Sequence, residues 1–260
     1  MVDVKQIVVR VIPSQVAVPF VREHHYSGKV VNNSKLHFGC FYKNILHGVM
    51  SFGCPMDKKK VISLVTTANK TEAQKWGEIL ELNRMAFDDF LPKNSESRCL
   101  GVAFRLIRKN APHIKWILSF SDGTQSGDGT IYRAVGFHLT QIKENSSILV
   151  MPDGEKVCQL SITNGFAVRK KLAQKFNIPL WGGGGLQPLL DAGAKRMPGF
   201  QLRYIKLLTP DCELNCPDLP FTAIDDAGAG MLRGERVSRA ERHRKSDANQ
   251  ASPNGAGGSE

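Results

Sequence analysis

The sequence predicts an α/β protein: a mixed central β-sheet flanked by helices, with an inserted basic segment and a disordered C-terminal tail. Three observations carry this. Strand-like and helix-like periodicities alternate between residues 6 and 208. Residues 143–197 hold eight Lys/Arg against four Asp/Glu. From residue 222 onward there is no aromatic side chain, so little apolar surface offsets the entropy of ordering.

The elements follow in order. Residues 6–12 form a strand closed by Pro13, with Ser14 as the expected helix N-cap. A helix over 15–25 ends at Ser27-Gly28, where glycine takes the left-handed cap. Runs 36–42 and 45–52 make a hairpin through Lys43-Asn44, and 79–87 is a further strand. Residues 95–110 are helical, with Leu100, Ala103, Phe104 and Ile107 on one face. A short buried strand at 116–120, a glycine-rich turn, a helix at 130–135 and strands at 137–142 and 200–208 complete the pattern. The domain expectation is one catalytic domain over 1–221, with 143–197 inserted, and a tail over 222–260.

With 42% hydrophobic and 23% charged residues, the chain reads as an ordinary soluble protein. No apolar run reaches the ~18 residues of a membrane span, and the N-terminus reads as a strand, not a signal peptide. The six cysteines read as reduced thiols of a cytoplasmic protein. Cys212 and Cys216 lack the second pair that a zinc site requires. The net charge of +11 favours polyanionic partners. Residues 222–260 hold six Lys/Arg and six Asp/Glu, so the whole surplus belongs to residues 1–221.

The helix opening near Ser97 carries Arg98-Cys99-Leu100-Gly101-Val102-Ala103. An R-x-x-G-x-A run at a helix start lets unpaired amides and an arginine hold a phosphate, which makes Arg98, Gly101 and Ala103 cofactor-binding candidates. Lys115–Phe120 and then Tyr132-Arg133-Ala134-Val135-Gly136-Phe137 follow. This succession resembles the GNAT acyltransferases. The resemblance implies a GNAT-like fold, acetyl-CoA as cofactor, and Tyr132 as the acid that protonates a departing thiolate.

Further segments narrow the resemblance: His24-His25-Tyr26-Ser27-Gly28, Glu81-Leu82-Asn83-Arg84-Met85-Ala86, Ser119-Phe120-Ser121-Asp122-Gly123, Gly129–Ala134 and Pro198–Ile205. Together they resemble the Mom proteins of bacteriophages. That resemblance implies a transferase converting adenine in double-stranded phage DNA to N6-acetamido (methylcarbamoyl) adenine, which evades host restriction endonucleases. It places His25, Tyr26, Asp122 and Tyr132 at the catalytic positions, with acyl-CoA and DNA as partners in the bacterial host cytoplasm. The oligomeric state stays open, a homodimer included.

The adenine amine is a poor nucleophile, so a base must take its proton, and His25 or Asp122 can do so. Asp122 can instead cap the 123–129 turn, and His24 and His25 also suit a helix C-terminus. Tyr26 can stack on a base flipped out of the duplex or sit in the core. Glu81 and Asn83, on one strand face, form a reserve pair for base or orienting roles. An acetamido product attaches through its methylene and carries a nitrogen that plain acetyl transfer does not supply. An iron-assisted route through His24, His25, Tyr26 or Asp122 is conceivable, but no tight ligand motif supports it.

For DNA, the helix-like run 165–176 offers Arg169, Lys170, Lys171 and Lys175, or is simply a solvated face. The cations of 233–245 allow the same two readings. Trp181 and the four glycines after it lack the Lys-Ser/Thr of a phosphate loop and read as a flexible loop. The alternatives are a GNAT N-acyltransferase acting on a protein or small-molecule amine, and a non-enzymatic DNA-binding protein.

Overall fold

The computed structural model describes residues 3–67, 71–122, 129–163, 165–232, 235–238 and 240–241. The chain divides into two compact units, one of residues 1–121, 129–141 and 202–223, the other mainly of 142–201 with residues from 224 onward.

The first unit begins with β1 (Val8–Val11), α1 (Ser14–His24) and the hairpin β2 (Ser34–Tyr42) and β3 (Ile45–Gly53). Lys43 and Asn44 both have positive φ, as a tight two-residue hairpin demands. Two short helices, α2 (Lys58–Val61) and α3 (Glu72–Gly77), bracket β4 (Val65–Thr66). None of these three stands out in the sequence pattern, though Thr71 and Gln74 form a capping box on α3. The chain continues through β5 (Ile79–Phe87), α4 (Ser95–Asn110), β6 (Trp116–Asp122), α5 (Thr130–Ala134) and β7 (His138–Glu144).

The second unit contains β8 (Ile148–Val150), β9 (Lys156–Cys158), α6 (Gln159–Thr163), α7 (Phe166–Lys175), α8 (Gln187–Asp191) and β10 (Lys195–Arg196). Then come β11 (Phe200–Leu207), β12 (Glu213–Leu214), α9 (Ala223–Asp226), β13 (Met231–Leu232) and β14 (Glu235–Arg236). Leu149, Met151, Ile162, Leu172 and Leu189 form the core of the second unit.

The main sheet has seven strands in the order β1-β2-β3-β5-β6-β11-β7. The β1–β2, β2–β3 and β3–β5 pairs are antiparallel and β5–β6 is parallel, which makes the sheet mixed as expected. Trp116, Leu118, Ile79 and Ile205 pack on one part of it, and Ala17 and Val21 of α1 pack on Val49 and Ala86. Among the described residues no helix is long and apolar enough to cross a membrane.

Three expectations change. Pro13, not Ser14, occupies the N-cap of α1, and no side chain caps it. Order continues past residue 222: Ile224 is 1% exposed, Gly228 closes α9 with φ +62, and β13 pairs with β14. Average composition hid these apolar anchors; residues 242–260 lie outside the described set. The loop after Trp181 is tied down, with the indole donating to the Gly185 carbonyl (3.0 Å) and Gln159 donating to Gly184 (3.1 Å).

Trp116 is 1% exposed at the centre of the first unit. Trp116→Ala should therefore lower unfolding free energy by about 3–5 kcal/mol, read from urea denaturation.

Candidate active site

The site starts from an interruption in the sheet. β5 and β6 pair from Ile79↔Trp116 to Leu82↔Ser119, and there the pairing ends although both strands continue. Between β3 and β5 the register shifts, so that Ser51 faces Arg84 while Phe52 faces Leu82. Asn83 is thus an extra residue, a β-bulge beside the split.

Tyr132 of α5 reaches the split. Its hydroxyl accepts from Ser119 Oγ at 3.2 Å, and its ring stacks on Tyr204 at 4.1 Å and meets Phe137 edge-on. Burial raises the phenol pKa, partly opposed by the Ser119 bond, so the group is a protonated donor at neutral pH. Gly129 sets the start of α5 at φ +65, and a Cβ there would lie 2.7 Å from the Tyr204 hydroxyl. Only glycine fits.

The opposite face carries a carboxyl. Glu81 faces Gly53 of β3 and Leu118 of β6. Successive residues of β6 alternate faces, so Ser119, which meets Tyr132, is on the other side. Ser51 and Gly53 share a face of β3, so the bulge puts Arg84 on the same face as Glu81. Burial pushes the Glu81 pKa up to about 7, against the pull of Arg84. Arg84 donates to the carbonyls of Lys29 (2.9 Å) and Asn83 (2.6 Å). Asn83 Nδ2 donates to Asn33 Oδ1 and Ser34 Oγ, an orienting network at the bulge.

His25 and Tyr26 leave α1 with their rings 4.3 Å apart. The Ser27 backbone N–H donates to His25 Nδ1 at 3.2 Å, so the proton of the neutral ring sits on Nε2. His25 therefore offers a donor in its neutral form. Tyr26 is 64% exposed, which removes its core reading, and it lies close enough to Arg84 to influence that charge. The backbone places Asp122 at the end of β6. Its side chain and the 123–128 turn lie outside the described residues. Among the described residues no group of three His, Cys, Asp or Glu comes together, and nothing supports the iron route.

A cavity of about 510 Å³ runs along α4. Arg98, Gly101, Arg105 and Arg108 line one side of it and Lys206 another, with no acidic lining residue. A Cβ built on Gly101 meets nothing within 4 Å, so the glycine leaves room that the protein itself does not fill. Burial and the charge of Arg108 lower the Lys206 pKa. Cations lining an open groove whose described lining holds no acidic residue fit a phosphate-rich ligand such as CoA. Ala103 does not join them: it is 0% exposed, because position 103 belongs to the core stripe with Cys99 and Ile107. The sequence reading missed Arg105, Arg108 and Lys206. The spacing 98, 101, 105, 108 was visible as a helix face, whereas Lys206 arrives from a distant strand.

In the second unit, α7 appears where the pattern placed a helix. Arg169 donates to the carbonyls of Ile162 and Thr163, and Lys175 pairs with Asp153 (2.5 Å) and Glu155 (2.6 Å). Both have partners within the second unit, and Lys170, Lys171 and Lys175 are exposed. Of the cations at 233–245, Arg233, Arg239, Arg242, Arg244 and Lys245 lie outside the described residues.

Residues 6–223 match the Mom protein family. The chain belongs to that family. It is 33% identical over 151 residues to the methylcarbamoylase Mom of Escherichia phage Mu, and the match covers 58% of this chain and 59% of that protein. The chain thus spans less than two thirds of this relative's length. Among solved structures it is similar to a Bacillus subtilis acetyltransferase in complex with CoA (TM-score 0.42, 9% identity, 78% of this chain and 99% of that one). A GNAT family acetyltransferase from Elizabethkingia anophelis with acetyl-CoA bound is also similar (TM-score 0.40, 13% identity, 78% and 98%).

In this Mom-family chain, the raised pKa of Glu81 makes stability depend on pH. The folded state favours the protonated carboxyl, so its stabilising contribution is present below 4.5 and is lost as pH rises through about 7. Glu81→Gln lacks this titration. Its stability relative to wild type should climb across that window and level off above it. Urea midpoints across that range check this; a constant gap would show an ordinary carboxyl.

Proposed function

We propose that the chain is a Mom-type transferase that converts adenine in double-stranded phage DNA to N6-acetamido (methylcarbamoyl) adenine in the host cytoplasm, shielding it from restriction. The observation that carries this is a titratable pair beside the β5/β6 split, Glu81 on one face of the sheet and Tyr132 on the other, in a chain of the Mom family. Glu81, titrating near neutral pH, accepts the proton that the adenine amine must lose, a role that the sequence reading gave first to His25 or Asp122. Arg84, on the same face, exerts an electrostatic pull on that carboxyl. Tyr132 delivers a proton to negative charge developing on the α4/α5 side. Arg98, Arg105, Arg108 and Lys206 would hold the phosphates of acyl-CoA, which supplies an activated carbon group when bound. His25 Nε2–H and Tyr26 flank the substrate side. Lys170 and Lys171 contact the DNA backbone.

The test is co-expression with a plasmid, digestion of the DNA to nucleosides and mass analysis. Acetamido and acetyl adducts differ by one NH, so the product identifies the reaction. Unmodified deoxyadenosine, with acetyl-CoA consumed on a protein or small amine, would overturn the reading in favour of an N-acyltransferase. Tyr132→Phe keeps the ring stack and should lower the modification rate by about 10²–10⁴-fold without loss of folding. Lys170→Ala with Lys171→Ala should weaken DNA binding uniformly across sequences and flatten its salt dependence, measured by titration at several salt concentrations.

A further inference from the structure

A second cavity, of about 620 Å³, lies beneath α1 on the face of the sheet that carries Glu81 and Arg84. Ala17, Val18 and Val21 of α1, with Val30 and Val31, give it apolar walls. Its floor is a polar row across three strands, because His37 faces Ser51 and Ser51 faces Arg84 in register. His37 is 6% and Ser51 3% exposed, and their side chains bond at 2.8 Å. Burial lowers the His37 pKa, which keeps the imidazole neutral. Arg22 and Lys35 stand exposed at the rim, and no carboxylate lines the cavity.

We propose that this cavity receives the extruded adenine nucleotide, with Ser51, His37 and Arg84 as its hydrogen-bonding floor and Arg22 and Lys35 on the flanking phosphates. The proposal rests on the function given above and names where its substrate sits. The volume falls within the about 300–1,000 Å³ of small-molecule sites. Such a space admits one nucleotide but not a stacked duplex, as base extrusion requires. Apolar walls suit the faces of a purine ring. A hydroxyl and a neutral imidazole can each donate or accept, and Arg84 has N–H groups beyond the two bound to Lys29 and Asn83, so the ring nitrogens find donors. The exocyclic amine needs an acceptor. Within the cavity the Ser51 hydroxyl can accept from it, while Glu81 lies outside the lining on the same face of the sheet, in electrostatic contact with Arg84.

Val18→Trp fills the cavity from α1, and Ser51→Ala removes a floor hydroxyl as a second variant. Calorimetry with deoxyadenosine 5′-monophosphate should show binding to wild type at least tenfold tighter than thymidine 5′-monophosphate. Either variant, if folded, should lose at least tenfold of that affinity and of DNA modification, with CoA binding unchanged. Wild-type modification by folded Val18→Trp or Ser51→Ala, or equal binding of the two nucleotides, would overturn the proposal and leave the function intact. Selective binding that the variants abolish, with no adenine modified by wild type, would instead remove the function and keep the nucleotide site.

Discussion

The early end of the β5–β6 ladder is the constraint on which the rest of this site depends. Parallel strands pair in long buried runs, and a strand that leaves its neighbour exposes backbone groups that need other partners. Here β5 stays paired to β3 beyond Leu82, while the bulge at Asn83 increases its local twist. The other side of the split is filled by side chains. Ser119 Oγ approaches the Leu82 carbonyl at 3.5 Å and the Tyr132 hydroxyl at 3.2 Å, so the last paired position also positions the phenol.

A split sheet lets two chemistries meet without mixing. The α4/α5 face gathers cations and a protonated phenol; the α1 face carries the Glu81 carboxyl and the row of His37, Ser51 and Arg84. The two faces thus offer separate surfaces, one suited to an anionic ligand and one to a neutral polar one. Burial raises the pKa of both the phenol and the carboxyl.

The local parts of this arrangement were legible in the sequence. Alternation and helix periodicity located the seven main strands and α1, α4, α5 and α7, and Lys43-Asn44 announced its hairpin. Arg98 and Gly101 were visible as a phosphate motif at the start of a helix. The bulge was not, because it is a mismatch in register between strands whose residues 51 and 84 are far apart in the chain. Without that register, Glu81 could be seen only as one of a reserve pair, and the cavity floor of His37, Ser51 and Arg84 could not be seen at all. The partners of Arg169 and Lys175, namely Ile162, Thr163, Asp153 and Glu155, were hidden for the same reason, since tertiary folding sets them.

The protonation of Glu81 shows how burial and charge compete in so basic a protein. A net +11, and Arg84 beside it, should pull a carboxyl below its ordinary range. Burial wins. Arg84 is itself largely withdrawn from water, and burial lowers its own pKa, against the pull of Tyr26 and Glu81. Its hydrogen bonds to the Lys29 and Asn83 carbonyls turn part of the guanidinium toward the backbone. Exposed surface cations are screened over about 8–10 Å of salt solution and add little to the field at a buried group. A positive surface for a polyanion and a neutral-range base therefore coexist, because each depends on a different local dielectric.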